Sequence, residues 1–255
     1  MRSSYKLATL AFGSAAVLPF LGAGSALAAD GNVSTNLKPV ALNGVNGSGS
    51  ASVSVTGTTI TVKMAATGLL AGSPHAAHIH FGADARHECP VGSDDADNNG
   101  HLNTTEGGPA YGPIVVSLTK TGDTSAKSGL AVDRFDTAAG GKISYERGSI
   151  KVDQGVADAI AGGKAVVVIH GVDYNHDGKY SGTAKSDLAP ALPTEATDPA
   201  LCGPLTAMPA GGVQTGAGGA SSGTSNESMI ALGGGLMLVA SGSGVYFVRR
   251  TRARS

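Results

Sequence analysis

The sequence predicts an all-β domain, a sandwich or flattened barrel with long loops and at most one short helix. Three observations carry that expectation. The apolar content is mostly Val, Ala and Ile, while aromatic residues make up only 4% of the chain. Thirty-nine glycines supply many tight turns. Several short stretches alternate between apolar and polar residues with the period of two that a half-buried strand requires.

The strands follow in order. Ser50-Ala-Ser-Val-Ser-Val55 and Thr59-Ile-Thr-Val-Lys-Met64 alternate on either side of the turn Thr56-Gly57-Thr58, which reads as a hairpin with one buried face. Gly68-Leu-Leu-Ala-Gly72-Ser-Pro74 is a turn leading to His75-Ala-Ala-His78-Ile-His80-Phe-Gly82. Pro113 to Leu118 and Lys142 to Tyr145 are further strands, and Val156 to Ala161 is the helical candidate. Lys164-Ala-Val-Val-Val-Ile169 has the unbroken apolar run of a central buried strand and ends at His170. Seven or eight strands of this kind suit a sandwich or barrel.

The two ends read as targeting segments. Residues 1–28 have a basic start (Arg2, Lys6), an apolar stretch from Leu7 to Leu21 and the small-x-small site Ala26-Leu-Ala28, which predicts a cleaved secretion signal. Residues 208–228 are Gly/Ser-rich and predict a flexible linker. Residues 229–248 are apolar or small and long enough to span a bilayer, and the basic tail 249–255 follows. This arrangement places residues 30–207 on the outer face of a cell membrane or in a cell wall. Thr215-Gly216, the linker, the apolar stretch and the arginines together resemble the sorting signal of Gram-positive surface proteins that a sortase joins to the wall. The usual Leu-Pro-x-Thr-Gly is absent, and Leu192-Pro-Thr-Glu-Ala196 lies too far upstream.

Removing the six basic residues of the two ends leaves 12 Lys and Arg against 19 Asp and Glu. A net charge near −7 argues against nucleic acid as a partner. Cys89 and Cys202 are the only cysteines, and an oxidising compartment predicts a bridge between them.

Chemistry concentrates at the histidine strand. In an extended chain His78 and His80 share one face, and Ile79 points the other way. Two converging imidazoles form half of a copper or zinc site. His75, His87 and His176 read as polar loop or surface residues. Asp95-x-Asp97-x-Asn99-Gly100, with Glu106 at the twelfth position, fits a calcium loop, although its flanks do not read as helices. Asp173-x-Asn175-x-Asp177-Gly178 repeats the first half of that pattern without the Glu.

Taken together, these segments resemble the copper/zinc superoxide dismutase family. Gly68 to Gly82 is similar to the family's Gly-Leu, Gly-x-His, His-x-His, Phe-Gly segment. Cys89 lies nine residues after His80, as the family's first bridge cysteine does. Gly100-His101-Leu-Asn103, Val166-Val-Val-Ile-His170 and Leu201-Cys202-Gly203 match three later motifs in the right order. The resemblance implies a Greek-key β fold, a Cys89–Cys202 bridge, copper held by His78, His80, His101 and His170, and superoxide as the substrate. There are departures. No histidine lies between His101 and His170, so the family's zinc site is not expected. Pro199 stands where the family has an arginine that draws superoxide in. The CHRD domain family also resembles this chain, through Ala77-His-Ile-His80, Gly112-Pro-Ile-Val-Val116 and the strand ending at His170. That likeness implies a non-enzymatic binding or structural module. The cysteine spacing and the His101 motif favour the dismutase-like reading.

Overall fold

The structure, a computed structural model, describes residues 30–208. The predicted signal (1–28), the linker from residue 209, the apolar span (229–248) and the basic tail (249–255) lie outside them. Among the described residues no helix is long and apolar enough to cross a membrane.

The domain is β-rich, as expected. Strands β1 (Gly31–Pro39), β2 (Ser48–Thr56) and β3 (Thr59–Thr67) form an antiparallel meander, and β3 also pairs with β8 (Lys142–Lys151). The sheet continues past β1 through β10 (Pro199–Pro204), β9 (Val166–His170), β5 (Ala77–His80) and β6 (Ile114–Ser117), all antiparallel. Short β11 (Thr206–Ala207) joins the outer part of β1, while β4 (Pro74–His75) and β7 (Asp136–Thr137) form a small ribbon of their own.

The sheet curls so that its two halves face each other. Val53, Ile60 and Val62 of the meander share one core with Ile79, Val167 and Ile169 of the histidine half. Alternation builds this core directly. In β3, Ile60, Val62, Met64 and Ala66 are buried, and the intervening residues are not. Ile60, Val62 and Met64, so buried, each contribute roughly 1.5–3 kcal/mol.

Strand β9 is buried on both faces. Val167 and Ile169 enter the main core, while Val166 and Val168 join Leu102, Tyr111, Val40 and Cys202 in a second cluster on the outer face. Three long connections cover that outer face: residues 81–113, 118–135 and 171–198.

Two short helices are present where at most one was expected. The predicted one is α2 (Gln154–Ala161). The other, α1 (Thr104–Tyr111), contains Gly107-Gly108-Pro109, a composition that argues against helix. Its start is held by a capping box. The Asn103 side chain accepts from the Glu106 N–H, and Glu106 accepts from the Asn103 N–H, each at 3.0 Å. Its end is anchored by Tyr111, buried with its hydroxyl donating to the Thr104 carbonyl at 3.1 Å.

The 171–198 connection contains a buried acid, Asp198. Its carboxylate accepts from Tyr174 Oη at 2.8 Å and Thr194 Oγ1 at 2.9 Å. Burial raises its pKa to about 7 against these two lowering bonds, and the negative charges of Asp187 and Glu106 add to the rise. The folded state therefore holds a proton between about pH 4 and 7 that the unfolded chain releases. Stability present at pH 4 is lost as the pH rises through 7. Asp198→Asn is expected to flatten that profile and to exceed the parent in stability above pH 7 by about 2 kcal/mol. Denaturant titrations at pH 5 and pH 8 check this; a constant difference between the two pH values would refute it.

Candidate metal centre

His78 and His80 stand on the outer face of β5, with Ile79 fully buried on the inner face, as the alternation of an extended strand requires. The antiparallel register sets His78 opposite Val168 and His80 opposite Val166 of β9. His170 lies on that same face of β9, two residues beyond Val168. The three rings converge, with centroids 5.0 Å apart for His78–His170, 5.5 Å for His78–His80 and 5.9 Å for His80–His170. Each residue is 2–3% exposed.

Hydrogen bonding divides each ring into two unlike nitrogens. The His78 Nε2–H donates to the Gly129 carbonyl at 3.0 Å, the His80 Nδ1–H to the Gly112 carbonyl at 2.8 Å, and the His170 Nδ1–H to the Thr197 carbonyl at 2.6 Å. Each acceptor comes from a different one of the three covering connections. With that tautomer fixed, the other nitrogen carries a lone pair. His78 Nδ1, His80 Nε2 and His170 Nε2 are all buried without a hydrogen-bond partner. These histidines can offer ligand atoms within 4.8 Å of one another. Buried nitrogen atoms left unpaired cost free energy unless something meets them. A metal ion meets three lone pairs at once, and backbone carbonyls are the usual second partners of metal-bound imidazoles.

Electrostatics agree with this use. Burial, reinforced by neighbouring His170, lowers His80 to about 3. Burial lowers His170 to about 4, against the raising effect of its bond to Thr197. His78 is also pushed well down, by burial first and then by His170 and His80. All three rings are neutral at neutral pH, the form in which imidazole binds metal.

His101 does not join them. Its neighbour Leu102 is fully buried, and Asn43 clamps the Leu102 backbone from both sides: the Leu102 N–H donates to Asn43 Oδ1 at 2.7 Å, and Asn43 Nδ2 donates to the Leu102 carbonyl at 2.9 Å. With Leu102 held inward, His101 is exposed, and its ring packs on Tyr174 at a centroid distance of 4.0 Å. The expected four-histidine set is thus a set of three.

His75 also departs from expectation. It is 1% exposed rather than on the surface, with Nδ1 2.8 Å from the His170 carbonyl and Nε2 3.2 Å from the Leu70 carbonyl. It braces the backbone of a candidate ligand. His176 is exposed as expected, and half-buried His87 lies in the loop after β5, with Nε2 2.8 Å from the Gly82 carbonyl.

In the acidic loop, Asp95, Asp97 and Glu106 can offer carboxylate oxygens within 4.8 Å of one another. Asn99 turns its side chain to protein partners instead: Oδ1 accepts from the His101 N–H at 2.8 Å, and Nδ2 donates to Asp97 at 2.9 Å. The segment after this loop is helical, contrary to expectation, because Glu106 is a capping residue of α1. The Asp173 loop repeats the same turn. The Asp177 N–H donates to Asp173 and Asn175, and the Gly178 N–H donates to Asp173 at 3.0 Å. Buried Glu195, from elsewhere in the chain, accepts from the Tyr174 and Ser181 N–H groups beside it.

Cys89 and Cys202 form the expected disulfide, with a Cα–Cα distance of 5.7 Å. It ties the 81–113 connection to β10, next to β9. Within that connection Gly112 has φ = 86°, a conformation costly for other residues, and a Cβ there would meet the Gly82 nitrogen at 2.7 Å. Gly112→Ala is expected to displace the carbonyl that orients His80 and to weaken metal binding by about 10–100-fold, the usual effect of losing a ligand's hydrogen-bond partner. Competition against a chelator measures it; unchanged affinity would show that the carbonyl does not set the ring.

No protein-family model matches this chain, and no curated protein matches it in sequence.

Proposed function

We propose that this protein is an extracellular, copper-binding relative of the copper/zinc superoxide dismutases, holding one copper ion with His78, His80 and His170. The observation that carries this reading is the set of three buried, unpartnered nitrogens, each on a ring whose second nitrogen is bound to a backbone carbonyl. A neutral all-nitrogen set tolerates both Cu(I) and Cu(II). Copper so held would supply one-electron redox chemistry, with superoxide as the candidate substrate. The chain's own residues orient the rings, keep them unprotonated and shield them from bulk water. The acidic charge balance and Pro199 in place of an arginine provide little attraction for an anion, so any dismutation is expected to be slow.

The test loads the full chain with Cu(II) or Zn(II), measures metal content after dialysis, and follows superoxide decay. One copper per chain, displaced poorly by zinc, supports the centre. Slow but copper-dependent superoxide loss supports the dismutase-like role. Copper without turnover leaves a binding module of the kind the CHRD likeness implies, and no retained copper removes the reading.

Calcium at the acidic loop is a second, separate reading. It rests on the close approach of Asp95, Asp97 and Glu106. A rise in melting temperature with calcium, absent in Asp95→Ala, would support it.

The terminal segments support display outside a Gram-positive cell, with the 229–248 stretch as membrane anchor or sortase signal. Cell fractionation of the tagged protein tests that location.

A further inference from the structure

The three histidines form part of the wall of an open cavity of about 700 Å³. That volume lies within the usual range of small-molecule sites, about 300–1,000 Å³. A diatomic anion or a water, the latter filling about 30 Å³, needs far less room. The remaining wall is mainly apolar and includes Ile114, Leu130, Val132, Leu188 and Leu192. Leu130, Val132 and Leu188 are 44–48% exposed and share this one wall, and it is such grouping of exposed apolar side chains that marks a binding surface. Lys127 is the one charged residue of the lining, and no acid is part of it. A divalent ion on three neutral imidazoles adds positive charge to the same chamber. Asp187, outside the lining, reaches His170 and Tyr111 with its negative charge and offsets part of this. Apolar walls with Lys127 and the ion inside the chamber fit an organic molecule that has an apolar body and an anionic head.

We infer that this cavity binds a small organic monoanion, a carboxylate or phenolate on an aromatic or alkyl body, with its head toward the metal and its body among the leucines and Ile114. The inference rests on the three-histidine metal centre proposed above and names the class of molecule that centre meets. It also accounts for the lack of a superoxide-guiding arginine, since a ligand held by apolar contact does not depend on long-range steering.

The experiment uses the full chain loaded with Cu(II) and titrated with acetate, 4-phenylbutanoate and neutral 4-phenylbutanol, followed by the copper EPR spectrum and by calorimetry. Phenylbutanoate is expected to bind at least ~30-fold more tightly than acetate, because its added carbons leave water. Leu130→Ser and Leu188→Ser, both at exposed positions, should each reduce that preference about fivefold while leaving copper affinity unchanged. Phenylbutanoate, and not the alcohol, should shift the copper spectrum, and Lys127→Met should weaken only the carboxylates. Equal affinity for acetate and phenylbutanoate in copper-loaded protein overturns this inference and leaves the metal centre standing. So does a preference that the leucine variants do not change. Failure of the parent chain to retain copper overturns both.

Discussion

On the proposed copper reading, His80→Ala or His170→Ala is expected to abolish stoichiometric copper binding at micromolar metal, whereas His101→Ala is expected to change affinity less than twofold. Losing a ligand's outer hydrogen bond already costs about 10–100-fold in affinity, so losing one ligand of three costs more than the upper end of that range. The contrast follows from geometry. His80 and His170 each direct a buried, unpaired Nε2 into the cluster, while His101 is exposed against Tyr174. Melting temperature gives a readout independent of metal analysis. At a thousand times its dissociation constant, copper bound as proposed would add about 4 kcal/mol to the parent's stability. In a domain of this size that is about 8–16 °C, and the two ligand variants should gain almost none of it. Melting of the metal-free variants separates misfolding from ligand loss. Removing His80 without metal also removes a buried nitrogen that has no partner, which offsets part of the packing lost. A His101→Ala variant that bound copper a hundredfold more weakly would restore the four-histidine arrangement that the motif resemblance implies.

Strand alternation paired His78 with His80, and the resemblance added His170, which ends an unbroken apolar run visible in the sequence. Strand geometry then forces all three onto one face. His101 lies in a loop, where motif position does not determine direction; direction there depends on Leu102 and on Asn43, 59 residues upstream of it. The carbonyls of Gly112, Gly129 and Thr197 leave no trace in sequence, because any residue has a carbonyl. His75 could have been suspected from its place beside the histidine strand, but its burial depends on the Leu70 carbonyl and on the course of β9. Two strands were also illegible. In β1 only Val33 and Leu37 are buried, a spacing of four that hides the period of two. β10 contains Pro199, Gly203 and Pro204, residues that argue against a central strand. The structure accommodates Pro199 as the first residue of the strand, beside a register shift against β9, and Pro204 as the last. The bridge between Cys89 and Cys202 needed no such context, since two cysteines allow one intramolecular pairing.

Removing that bridge, by reduction or by Cys89→Ser with Cys202→Ser, should have the largest effect on stability. The two residues are 113 apart, and on the chain-entropy model closing a loop of that length constrains the unfolded chain by about 4–5 kcal/mol. The expected fall in melting temperature is roughly 10–20 °C. A second effect is local. Cys202 is held within the sheet, opposite Val168 of β9 and Lys38 of β1, so its position survives reduction as long as the sheet does. Cys89 has no strand around it. Its segment is tied to α1 by backbone bonds from the Arg86 and Glu88 N–H groups to the Pro109 and Ala110 carbonyls, and the connection is fastened to the rest of the domain by the bridge and by the Asn43 clamp on Leu102. The same connection presents the Gly112 carbonyl to His80 and packs Tyr111 on the His80 ring at 4.5 Å. Well below its melting point the reduced protein should therefore remain folded and still bind copper, but about tenfold more weakly, because a ligand's orienting bond has loosened. The two effects separate cleanly. Denaturant titration reads the entropy of the unfolded chain, and chelator competition under native conditions reads the folded loop. A reduced protein with lower stability but unchanged copper affinity would mean that the Arg86 and Glu88 backbone bonds, with the Asn43 clamp on Leu102, hold the loop in place without the bridge. Unchanged stability would mean that the unfolded chain is already compact between residues 89 and 202, so that the bridge has little freedom to remove.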